Sequence, residues 1–128
     1  MRNNPEYSLY KQIATYLLYQ YPNVLYHFDP TGLNLSKTQS GMLKAIQGGR
    51  GFPDLFIVEP RAYLHGLMIE IKVEGTRIYK KDGITPTTPH IAEQLQFINS
   101  LASRMYYARM CVGFYHIKSV IDEYLKMR

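Results

Sequence analysis

The chain has 128 residues, of which 46% are hydrophobic and 20% charged, and a formal charge of +5. That composition fits one globular domain over residues 1–128 with a core of its own, and the positive excess is compatible with a nucleic-acid partner without identifying one. A single cysteine, Cys111 in the apolar run MCVGFY, excludes an internal disulfide, and no run approaches the roughly 18 apolar residues of a membrane span.

The first residues carry no signal-peptide pattern, so an intracellular, cytoplasmic protein is expected, with Cys111 a buried structural thiol. From Glu6 to Tyr19 the sequence predicts a helix, with Asn4 as cap and Pro5 tolerated in the first turn. Its apolar stripe runs Leu9, Tyr10, Ile13, Leu17, and one turn earlier the same stripe lands on Glu6. An acid at the head of a core-facing stripe either favours the helix dipole or serves something deeper. YPNVLYHF reads as a strand ending near Phe28, DPTG as a turn, and Ser36–Gln47 as a second helix. QGGRGFP then breaks the chain, and its glycines and proline require special backbone geometry or the close approach of another group.

Leu55–Val58 and Leu67–Val73 read as two short strands, with EPRAYLHG between them long enough for a hairpin connection. The polar, basic EGTRIYKKDGITPTTPH follows, its KKDG resembling a tight turn. Pro89–Arg104 is the next helix, with Thr88 before it. Tyr106–Tyr115 reads as an apolar strand and Ile117–Met127 as a closing amphipathic helix. This order predicts a mixed α/β domain around a small central sheet.

The chemistry concentrates on the two central strands. In LMIEIKV, Leu67, Ile69, Ile71 and Val73 share one face, while Met68, Glu70 and Lys72 share the other. A carboxylate and an ammonium on a sheet face form an exposed charged surface, a plain ion pair, or a site that uses them. Asp54 favours the last. It opens the neighbouring strand directly after Pro53, which pushes Phe52 towards an extended conformation. If the two strands pair, Asp54 and Glu70 can share a divalent cation, with the Ile71 carbonyl as a third oxygen and Lys72 beside the bound water. Gln94 falls in the stripe Ile91, Gln94, Leu95, Ile98, Leu101, Ala102, so an amide points towards the sheet or bonds backbone at the core edge.

Pro53-Asp54 followed by Glu70-Ile71-Lys72 is the PD-(D/E)XK nuclease pattern. At this level the chain resembles the VRR-NUC domain nucleases, most of all the small stand-alone members of bacteriophage and bacterial genomes. The matching segments are PEYSLYKQIATYLL, GGRGFPDLFIV, GLMIEIKVEGTR, PHIAEQLQFINSLA and VGFYHIKSVIDEYL. The resemblance implies a restriction-endonuclease-like core, a central mixed sheet flanked by helices, and a metal-dependent endonuclease acting on DNA. It further implies Mg²⁺ or Mn²⁺ held by Asp54 and Glu70, Lys72 as catalytic lysine, Glu6 near the metal directly or through water, and Gln94 as the helix glutamine. Many members carry an Asn-Gly-rich segment after the first strand, where this chain has DPTGLNLSKTQSG.

Lys44, Arg50, Arg77, Lys80 and Lys81 flank the motif segments and are the expected phosphate contacts. A structure-specific endonuclease acting as a homodimer on branched or four-way junction DNA is expected, because resolving a junction or breaking a duplex takes two cuts and two sites, and the chain's 12 tyrosines, among them Tyr16, Tyr19, Tyr21, Tyr106 and Tyr107, suit an interface. The bacterial host cytoplasm is the compartment implied if the protein is phage-encoded, and no organic cofactor is expected. The competing readings are a DNA-binding or assembly module that keeps the fold without cutting, and a protein-interaction domain.

Overall fold

The computed structural model describes residues 4–29, 36–48 and 51–128. Within them the elements follow the expected order: α1 (Pro5–Gln20), β1 (Tyr26–Phe28), α2 (Lys37–Ile46), β2 (Leu55–Ile57), β3 (Leu67–Lys72), α3 (Pro89–Ala102), β4 (Tyr107–Val112) and α4 (Phe114–Leu125). Most helix starts are fixed by side chains that accept an otherwise unpaired N–H. Asn4 accepts from Tyr7 N, Thr88 from Ile91 N, and Ser36 forms a reciprocal capping box with Gln39.

The strands form one sheet in the order β1-β2-β3-β4. β1 pairs with β2 and β2 with β3 antiparallel, the first pair joined through α2 and the second by a short connection. β3 and β4 are parallel, because the chain crosses over through α3 between them. The sheet is therefore mixed and flanked by helices, as the sequence predicts.

The alternation in β3 divides the interior in two. Leu67, Ile69 and Ile71 pack with Leu9, Tyr10, Ile13 and Leu17 of α1 and with Ile117, Ile121 and Tyr124 of α4. Met68 packs on the other face with Ile98 and Leu101 of α3 and Ala108 of β4. Burying one such aliphatic side chain contributes about 1.5–3 kcal/mol, so the first cluster carries most of the stability. Cys111 is buried in that cluster, and burial pushes its thiol up to about 12, as an inert structural residue requires. No helix among the described residues is long and apolar enough to cross a membrane.

Two polar devices hold α4. Asp122 Oδ1 accepts from the Tyr16 hydroxyl at 2.5 Å and the Tyr21 hydroxyl at 2.7 Å, while Lys118 Nζ donates to Oδ2 at 3.0 Å. These bonds tie α1 and the turn after it to α4. At the other end α4 starts at Gly113, which has φ 80° and ψ 163° and no side-chain cap. The Gly113 N–H donates to the Lys72 carbonyl at 2.8 Å, so this residue also holds the end of β3. The space a Cβ would occupy is filled by the Glu74 carboxylate. That backbone region is nearly restricted to glycine. Gly113→Ala is expected to destabilise the fold by about 2 kcal/mol or more, read as a lowered midpoint in urea at unchanged slope.

Candidate active site

The site is made by a strand that stops early. β2 begins only at Leu55, opposite Ile69, whereas antiparallel β3 continues past that point through Glu70 and Ile71 to Lys72. Leu67 and Ile69 turn their backbone groups to β2, so by alternation Ile71 points its N–H and C=O the same way, past the end of that strand. Asp54 occupies the vacated position: its Oδ2 accepts from the Ile71 N–H at 2.8 Å. Asp54 thus replaces a missing ladder bond with a carboxylate, and the Ile71 carbonyl faces the same opening.

Local sequence explains the placement of Asp54. Gly51 has φ 87° and lies against α3, where a Cβ would stand 3.5 Å from Phe97 Cβ and 3.6 Å from Gln94 Cα. The contact with α3 would leave room for a Cβ, so it is the positive φ that favours glycine here. Phe52 then packs its ring at a tilt against Phe97, with centroids 4.5 Å apart, and Pro53 is buried. The GFPD run is pinned to α3 on one side and β3 on the other.

Glu70 is 3% and Asp54 7% exposed, so two acids share a dry corner. Burial, and then the Asp54 charge, push the Glu70 carboxyl up to about 9; Lys72 opposes this. Burial also raises Asp54, against the Ile71 N–H bond, Tyr10, Glu70 and Lys72. Gln94, buried on α3, donates through Nε2 to Glu70 Oε1, and Lys72 Nζ stands 3.7 Å from the same oxygen. Glu70 Oε2 and Gln94 Oε1 are buried without any hydrogen-bond partner. Orphaned buried oxygens are rare and costly, and here two lie on bonded neighbours.

Glu6 lies at the head of α1, half-buried, with its carboxyl raised first by burial and then by Asp54. The link between them is Tyr10, which sequence reading treats only as part of the apolar stripe. Its hydroxyl donates its one proton to Glu6 Oε1 at 3.3 Å and lies near enough to the Asp54 carboxylate to favour that group's ionised form. Its ring stacks on Phe28 with centroids 5.0 Å apart. Burial raises the phenol far above its ordinary value, so it remains a donor. The signal for Tyr10 was its four-residue spacing from Glu6, one helical turn along the same face.

The structure therefore brings together Glu6, Asp54, Glu70, Lys72, Gln94 and the Ile71 backbone. Among the described residues, no three of His, Cys, Asp and Glu stand close enough to cage a metal ion by themselves. The available donors are nonetheless all oxygen: two carboxylates, a backbone carbonyl and the Gln94 amide, a set suited to a hard cation. The expected phosphate contacts divide. Arg77, Lys80 and Lys81 are exposed on the 76–87 hairpin, which the Tyr79–Pro86 bridge closes; Lys44 is exposed on α2; Arg50 lies outside the described residues. So does part of the DPTGLNLSKTQSG segment.

No family model matches the sequence, and no curated protein matches it. The fold is similar to a solved structure described as a VRR_NUC domain protein, with a TM-score of 0.70 and 25% identity. The similarity covers 99% of this chain and 93% of that one, which bears out the resemblance read from the motif segments and the α/β core.

The buried acids predict a pH effect. Below about 4.5 Glu70 is protonated in both folded and unfolded chains; between there and about 9 only the folded chain keeps the proton. Stability without a divalent cation is therefore expected to fall as pH rises through this window. The melting temperature should drop by several degrees from pH ~5 to pH ~9, and Glu70→Gln should flatten the profile. A second expectation concerns Tyr10→Phe. It keeps the ring stack but loses the bond to Glu6 and the hydroxyl beside Asp54, and should weaken Mn²⁺ binding about 10-fold by calorimetry.

Proposed function

We propose that this VRR-NUC-like domain is a divalent-cation-dependent endodeoxyribonuclease that hydrolyses DNA phosphodiester bonds. One observation carries the reading. Two acids are buried together just before β2 begins, with a part-buried lysine beside them and two buried oxygens left without partners. Such a corner is costly to a protein that only binds. Its negative charge would repel phosphate, and nothing in the fold needs it.

Mg²⁺ or Mn²⁺ fits the orphaned oxygens, and Asp54, Glu70 and the Ile71 carbonyl would hold it, with Glu6 at the outer edge. When bound, the cation supplies charge neutralisation for the phosphate and a water of lowered pKa. The protein's own groups do the rest. Gln94 fixes the rotamer of Glu70, and the Ile71 N–H fixes that of Asp54. Tyr10 joins Glu6 to Asp54. Lys72, its side chain 16% exposed, keeps its ammonium 3.7 Å from Glu70 and aims a positive charge where negative charge develops on phosphate. Arg77, Lys80, Lys81, Lys44 and Arg50 supply backbone attraction without sequence preference.

A homodimer is part of the proposal. Tyr16 and Tyr21 are committed to Asp122, so they offer no free polar tips. Leu18 and Tyr19, 61% and 76% exposed on the outer side of α1, are the apolar surface that a second copy would cover.

A panel of labelled duplex, forked, single-stranded and four-way DNA, incubated with the protein and Mg²⁺ or Mn²⁺, tests the activity. Asp54→Asn and Glu70→Gln should each abolish cleavage while DNA binding persists in a gel-shift assay. Wild-type cleavage in either variant removes that residue from the site. Lys72→Ala should lower the cleavage rate by about 10²–10³, equivalent to roughly 3–4 kcal/mol, with little loss of metal affinity. A variant that merely unfolds would make Lys72 a structural partner of Glu70.

A further inference from the structure

Tyr10 reaches the acidic corner from α1, and a ring from another element lies against it. The Phe28 ring stacks on Tyr10 with centroids 5.0 Å apart and 24° between the planes. Tyr26, two residues earlier on the same face of β1, meets Phe28 edge-on at 5.8 Å and 83°. The three rings form a file from exposed Tyr26 through half-buried Phe28 to the buried phenol of Tyr10.

The strand that carries Phe28 is registered on the same residue that the phenol reaches. Phe28 pairs with Leu55, and the Asp29 N–H donates to the Asp54 carbonyl at 2.8 Å. The Asp54 main chain thus holds the end of β1, and the end of β1 holds the Tyr10 ring. The Tyr10 hydroxyl in turn stands beside the Asp54 carboxylate while it donates to Glu6 Oε1. The loop closes on Asp54 from both ends.

Packing alone does not require a ring at position 28. Phe28 sits at the margin of the first core cluster, where leucine or methionine would fill comparable space. What those side chains lack is a flat face. The Tyr10 hydroxyl lies at the far end of its ring, so a modest swing about χ1 displaces it while the ring stays in the core. At 3.3 Å its bond to Glu6 is already long, and little swing is needed to lose it. A stacked neighbour resists that swing across the whole ring face.

We propose that Phe28 is a positioning residue of the acidic corner. Its ring holds the Tyr10 hydroxyl between Glu6 and Asp54, and so sets how tightly those carboxylates receive a divalent cation. The proposal rests on the nuclease reading and adds to it a residue that acts through Tyr10 alone.

The test combines Phe28→Leu and Phe28→Tyr with the Tyr10→Phe background. Phe28→Leu should weaken Mn²⁺ binding about 5-fold by calorimetry and lower kcat on plasmid DNA by a similar factor at subsaturating Mn²⁺, with KM for DNA unchanged. Phe28→Tyr keeps the ring and should match the parent in both. In Tyr10→Phe there is no hydroxyl left to position, so adding Phe28→Leu should change Mn²⁺ affinity by less than about 2-fold. If the parent binds Mn²⁺ and cleaves DNA but Phe28→Leu matches it, the proposal fails alone. An equal loss in both backgrounds would make the ring packing and likewise overturn it. Should Phe28→Leu not fold, Phe28→Met, apolar and without a flat face, is held to the same outcomes. If the parent neither binds Mn²⁺ nor cleaves DNA, the nuclease reading fails and takes this proposal with it.

Discussion

Two carboxylates, Asp54 and Glu70, are buried side by side past the end of β2, and much of the surrounding structure answers the cost of keeping them there. Desolvation and mutual repulsion both disfavour the ionised pair. The Ile71 N–H, the Gln94 amide, the Tyr10 hydroxyl and the Lys72 ammonium each offset part of that cost, and they come from three different elements. The remaining imbalance, two oxygens with no donor, is located where a cation would remove it. The corner is thus a strained part of an otherwise well-packed core.

The means of construction is economical. A sheet residue one step past the end of its neighbour leaves an N–H and a C=O unclaimed, a defect most folds cover with a loop. Here the residue just before the shorter strand turns its side chain back to claim the N–H, and the carbonyl is left as an oxygen donor. The rigid Gly51–Pro53 turn makes this possible, because it fixes the backbone of Asp54 between α3 and β3. The precision comes from strands and a helix rather than from flexible loops.

Much of this was legible in the sequence. The alternation in LMIEIKV separates the core face from the charged face, and the structure divides the interior along the same line. The inward amide of Gln94 followed from helical spacing alone. Tyr10 was harder, since a tyrosine on an apolar stripe looks like packing, and Asp54, whose charge it meets, is 44 positions away in the chain. α2 was read correctly as a helix, yet it buries none of its residues, so its apolar positions did not foretell a core contact. The tyrosines Tyr16 and Tyr21 suit a surface by composition, but Asp122 claims them from the far end of the chain.

The bonds from Tyr16 and Tyr21 to Asp122 span 106 and 101 positions. Closing loops of that size comes late in folding, since the chain must first surrender the entropy of everything between. α1, which delivers Glu6 and Tyr10, can dock fully only once α4 has formed. During synthesis, therefore, β2 and β3 can meet well before the acid of α1 joins them. The nascent chain would carry a half-built cluster whose last carboxylate is fixed only when α4 docks. Order of assembly thus separates the pairing of β2 with β3 from the completion of the acidic corner.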